Sequence, residues 1–215
     1  MKSTTTLKAS IILAGMMTAS ISAYAQGLPG SGQKTITLSN DVGKNQFEWL
    51  SDAPVEKIKG TAETVKGKLT LDPQNSSSLR GTVVVAVSTM KTGNSTRDNH
   101  LRGADWLDAE RYPVITFTVT SVSNTRVNGG RMTANVTGKF SLHGVEKTLT
   151  IPIELNYIPE SDKTRERAPG DLVSITATFT ISLKDFNISG SRGTIGSKVG
   201  ETIKITAKLF GSTGA

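Results

Sequence analysis

The 215-residue sequence contains no cysteine. A disulfide framework, a thiolate nucleophile and a thiolate-bound zinc are therefore excluded. The fold must rest on its own apolar core, which a chain of this length can build. Histidine is almost as scarce, with only His100 and His143, so a histidine-based metal or acid–base site has little to draw on. Aromatic residues make up 5% of the chain, too few for the two interfacial girdles of an outer-membrane barrel. There is no nucleophile elbow, phosphate-cradling glycine loop or HExxH helix. The net charge of +7 is modest and its lysines and arginines are scattered, whereas a nucleic-acid footprint needs them clustered.

No apolar run is long enough to cross a bilayer as a helix. The N-terminus instead has the pattern of an export leader. Lys2 and Lys8 form a positive region, residues 11–17 a short apolar core, and Ala23-Tyr24-Ala25 a small-x-small cleavage site. The expected division is a signal peptide over residues 1–25, a flexible Gly/Pro/Ser linker over 26–33 and one domain over 34–215. The expected location is periplasmic or secreted. Loss of the two leader lysines lowers the net charge to +5.

From Lys34 onward the dominant period is two. Val173, Ile175, Ala177, Phe179, Ile181 and Leu183 alternate with serine and threonine, the pattern of a half-buried strand. Ile203, Ile205, Ala207 and Leu209 repeat it, as do Val83, Val85 and Val87, while Ile151 and Ile153 flank a proline that points to an edge or bulge. Shorter strands are expected over residues 47–49, 55–60, 66–71, 114–122 and 132–142. Turn signals separate them at Asp72-Pro73, Asn128-Gly129-Gly130, His143-Gly144 and Pro169-Gly170-Asp171. Residues 159–170 are charged and read as a solvated loop. Long strands without a βαβ rhythm predict an all-β protein, an antiparallel up-and-down barrel. Lysines on the polar faces turn the apolar faces inward.

A barrel of about eight strands is either filled by its own side chains or holds one small ligand. Slim inward residues, with room at Gly138, Ala177 and Ala207, would leave a deep apolar tube. Such a tube suits a hydrocarbon better than a sugar or nucleotide, whose hydroxyls would find few partners. Each isoprene unit buried there would contribute roughly 3–4 kcal/mol before the costs of binding.

The stretch 88–117 is far longer than a hairpin turn and is expected to be a binding loop or lid. Ser95 or Thr96 is expected to cap a first helical turn and Gly103 to end it, with Asp105 capping a second. In order, it carries Thr92-Gly93-Asn94, Arg97-Asp98, His100-Leu101-Arg102, Asp105, Leu107-Asp108, Tyr112-Pro113 and Ile115-Thr116-Phe117. With residues 67–72 and 138–145, this block resembles the YceI-like polyisoprenoid-binding proteins. The likeness runs from about Phe47 to Leu209. The chain departs from that pattern at Asn45-Gln46-Phe47-Glu48-Trp49 and at Leu183-Lys184-Asp185-Phe186-Asn187.

The resemblance implies a lipocalin-like eight-stranded barrel with a short helical insertion near its mouth. It also implies a long isoprenoid lipid, a quinone tail or polyprenyl phosphate, held inside for transport or storage. The expected lining is Phe47, Trp49, Val83, Val85, Val87, Trp106, Leu107, Ile115, Phe117, Phe140, Ile151, Ile153, Ile175, Ala177, Phe179, Ile203 and Ile205. Arg97, Arg102 and His100 are the candidates for a head group. No catalytic residue, metal or cofactor beyond the lipid is expected, and neither nucleic acid nor stable membrane insertion. An apolar mouth would allow two copies to pair as a homodimer. Two other readings remain: an enzyme acting on such a lipid through His100 with Asp98 or Asp108, and a filled structural or stress-response barrel.

Overall fold

A computed structural model describes residues 27–214; the expected leader lies outside them. Ten strands form one antiparallel sheet: β1 (Lys34–Leu38), β2 (Gln46–Asp52), β3 (Lys57–Ala62), β4 (Val65–Asp72), β5 (Asn75–Ala86), β6 (Val114–Asn128), β7 (Arg131–Leu142), β8 (Val145–Ile158), β9 (Leu172–Ser182) and β10 (Thr202–Ser212). Among the described residues there are two α-helices, α1 (Ser95–Arg102) and the single turn α2 (Asp162–Arg165). The sheet order is β1-β4-β5-β6-β7-β8-β9-β10, and β10 pairs back onto β1, so eight strands close a barrel. β2 and β3 form a hairpin that continues the sheet from the other half of β10.

Closure at β10 is shared between two strands. Gly211 and Ser212 pair with β1, while residues 203–208 pair with β2. Phe210 falls in the break, where Asn45 and Ser39 take the place of a neighbouring strand. A second irregularity lies between β8 and β9. Their ladder runs only from Ile153↔Ala177 to Ile158↔Leu172, although β8 stays paired with β7 as far as Val145. It stops beside Pro152, which has no N–H to give a ladder. Above that point the seam is held by packing among Phe140, Phe179 and Phe186, and by the ring Nδ1 of His143 at 3.0 Å from the Phe186 carbonyl.

The end of the barrel away from α1 is filled. Leu28, Ile36, Leu71, Leu79, Met132, Leu155, Tyr157 and Val173 interlock there, all almost completely buried. The Tyr157 hydroxyl donates to Asp171. Burial first, then that hydrogen bond and the carboxylate's charge, push the phenol above its usual range.

Leu28 corrects the flexible-linker expectation. Its side chain is 0% exposed and its N–H donates to the Pro73 carbonyl at 2.9 Å. Gln74 Nε2 holds the Leu28 and Gly30 carbonyls. A Gly/Pro/Ser composition reads as loose, yet one leucine with a hole to fill pins the segment as a floor plug. Residues 159–170, read as a solvated loop, are mostly exposed but contain α2 and bury Ala168 against Val42 and Leu172. Its start is a reciprocal capping box between Ser161 and Thr164.

Candidate functional site

Between the filled floor and α1 lies a cavity of about 430 Å³. Its wall is made by the inward-facing residues of the barrel and of the β2–β3 hairpin, and it is overwhelmingly apolar. Sixteen of the seventeen side chains predicted as lining are on this wall: Phe47, Trp49, Val83, Val85, Trp106, Leu107, Ile115, Phe117, Phe140, Ile151, Ile153, Ile175, Ala177, Phe179, Ile203 and Ile205. Val87 is not. β5 ends one residue earlier, where the Val87 N–H turns to the Pro113 carbonyl, and the side chain packs in the core beneath the insertion. Alternation carried the pattern one step too far.

Two alanines face each other across neighbouring strands of the wall. Ala177 and Ala207 are cross-strand partners in β9 and β10, and both line the cavity. The room expected at Gly138 is absent. The Phe117 ring occupies it, so that a Cβ there would meet the ring at 2.6 Å. Gly60 plays the same part for Trp49, whose indole lies where a Cβ would stand, 2.2 Å away.

The mouth is built by three segments. The insertion supplies α1, which starts at Asn94, whose side chain accepts from the Arg97 N–H at 3.0 Å. This corrects the cap expected at Ser95 or Thr96. All three residues are capable caps, and the chain enters the helix at Asn94 directly after a backbone turn at Gly93 (φ +83°). Gly103 ends the helix as expected. Asp105 caps no second helix: its segment is a series of turns, in which the Trp106 and Asp108 N–H groups both reach the Gly103 carbonyl.

The second segment is the β2–β3 turn. Glu56 there accepts from Arg97 at 2.7 Å, and Val55 donates to the Ser197 carbonyl. The third is the loop 190–200. It is tied to β2 by the Gly200 N–H on the buried Ser51 hydroxyl, and it meets the insertion where the Trp106 ring rests on Gly190.

These ties sort the candidate polar residues. Arg97 and His100 line the mouth. Arg102 does not: its guanidinium holds the Met90 carbonyl and the Asn99 side chain, bracing the insertion from within. Asp98 is buried, and its Oδ1 accepts from both the N–H and the hydroxyl of Thr92 at 2.6 Å. Burial pushes its carboxyl up, but those hydrogen bonds and the charges of Arg102 and Arg97 outweigh it and hold the group below the usual carboxylate range. Asp98 spends its Oδ1 on Thr92, and no hydrogen bond or ion pair joins His100 to Asp98 or Asp108 in the structure. Sequence reasoning missed the contribution of the loop 190–200, from which Ser191, Thr194, Lys198 and Val199 reach the cavity. The run Gly190, Gly193, Gly196, Gly200 was the available sign of a shaped loop.

Residues 37–210 match the model of the YceI-like domain. The chain belongs to the YceI-like family. A YceI protein of Escherichia coli O157:H7 is 32% identical over 148 residues, which cover 69% of this chain and 72% of that one. A UPF0312 protein of Pseudomonas putida strain W619 is 31% identical over 154 residues, 71% of this chain and 76% of the relative. Among solved structures, Burkholderia cenocepacia BcnA superposes with a TM-score of 0.62 at 20% identity, covering 77% of this chain and 95% of BcnA. A polyisoprenoid binding domain from Saccharophagus degradans gives 0.60 at 12% identity, covering 85% and 99%. These likenesses establish the YceI-like barrel.

Proposed function

We propose that this protein is an exported carrier for an isoprenoid lipid, with the prenyl chain in the barrel and the head group at the mouth. The observation that carries the reading is the cavity itself, an apolar space of about 430 Å³ with Arg97, His100 and Lys198 among the side chains at its mouth. An apolar chain gains about 0.8 kcal/mol for each CH₂ it buries, and the wall offers almost nothing to a sugar or nucleotide. A structurally similar protein is described as a polyisoprenoid binding domain, which supports the same ligand class. The leader-like residues 1–25 support export. Arg97, His100 and Lys198 at the rim suit the oxygens of a quinone or phosphate head group.

Filling the cavity tests the reading. In Ala207→Phe, a ring would project from the cavity wall, and quinone binding followed by quenching of Trp49 and Trp106 is expected to fall at least tenfold while the far-UV spectrum stays that of a β protein. Unchanged binding in that variant would place the ligand elsewhere.

A further inference from the structure

The cavity is shorter than the barrel. β9 spans 11 residues, roughly 36 Å at about 3.3 Å per residue. Yet the open space stops at Leu79, Val136 and Leu209. Beneath them Leu71, Met132 and Leu155 are at most 2% exposed, as is Leu28. The floor is therefore solid core.

Volume converts this into chain length. An apolar cavity of about 150 Å³ takes one benzene ring, or about 25 Å³ per carbon. A space of about 430 Å³ then holds roughly 17 carbons, between three and four five-carbon isoprene units.

We infer that the barrel is a ruler: it encloses a prenyl chain of about 15–20 carbons and brings the head group to Arg97, His100 and Lys198 only at that length. The inference rests on the isoprenoid reading above. A ten-carbon chain leaves the floor end empty. A forty-carbon chain, entering tail first, meets the floor with more than half its length outside, and its head group stands clear of the rim. The side chains that set the length are the floor residues Leu79 and Met132, and the alanine pair sets the width above them.

The test is a binding series on the purified protein with geraniol, farnesol, geranylgeraniol and a C40 polyprenol, read by native mass spectrometry and by tryptophan quenching. Affinity is expected to rise about tenfold or more per added unit up to C15–C20, as buried CH₂ groups accumulate, and then to stop rising. Two variants move the plateau in opposite directions. Met132→Ala deepens the floor and shifts it to longer chains, while Ala177→Leu narrows the tube and shifts it to shorter ones. Should Met132→Ala not fold, Ala177→Leu alone decides the direction. An affinity that climbs steadily to C40, or that is the same for all lengths, overturns the ruler and leaves the isoprenoid reading standing. Failure of every chain to bind overturns both.

Discussion

The side chain of Asn45 completes the backbone hydrogen bonding of Phe210. Its Oδ1 accepts from the Phe210 N–H at 2.8 Å, and its Nδ2 donates to the Phe210 carbonyl at 3.0 Å. A side-chain amide thus takes the part of a peptide unit at the break between β1 and β2. Without it, the strand that closes the barrel would leave a partly buried donor uncovered, and backbone groups away from water are rarely left so. Asn45 is 1% exposed and is itself positioned by the Asn40 side chain, which accepts from the Asn45 N–H at 2.9 Å.

Asn45→Leu removes both bonds at the closure. The expected loss of stability is about 1–3 kcal/mol, the usual cost of leaving a buried polar group unmade. Urea denaturation measures it, and amide exchange at Phe210 localises it. A loss below about 0.5 kcal/mol, in the range of ordinary surface substitutions, would mean that the closure does not depend on this amide.

Asp98 ties the insertion together as a carboxylate. Its folded-state value lies below that of the unfolded chain, which is about 3.9. The stabilisation it supplies is thus fully present above that value and disappears as pH falls through the lower, folded one. Acidification below about pH 4 is therefore expected to loosen residues 92–102 in the wild type. Asp98→Asn should be less stable at neutral pH and should lose this part of the acid dependence. Amide exchange of α1 against pH is the measurement, and identical acid profiles in the two proteins would remove the role given to Asp98.

Gly60 is the seat of the Trp49 indole. In Gly60→Ala the new methyl would meet the ring at 2.2 Å and the Lys91 carbonyl at 2.7 Å, so the ring must move. Overpacking of this kind costs about 1–3 kcal/mol. The expected result is lower stability with an altered Trp49 emission and weaker ligand quenching. Wild-type emission and stability would show that the ring can give way freely.

The parts of this molecule legible in the sequence are those fixed by local chemistry. Ile203, Ile205, Ala207 and Leu209 face inward because a pleated strand alternates, and one buried face enforces its register. The long insertion was recognisable from its length alone, and the wall of the cavity followed from alternation in the strands on either side. What remained hidden depends on distant partners. β1 is five residues long and exists because β4 and β10 stand on either side of it. Leu28 is a plug only because the floor has a hole of its size. Val87 leaves its strand at the call of the Pro113 carbonyl, 26 residues away. The depth of the cavity was hidden for the same reason: Val, Leu and Met at inward positions make either a wall or a filling, and which one they make depends on what faces them.

The most direct test of the central claim is organic extraction of the purified, exported protein followed by mass spectrometry of what it carries. The account predicts a prenyl-tailed lipid in about equal amount to the protein, lost in Ala207→Phe. Protein free of lipid that also takes up no prenol or quinone on incubation would contradict it.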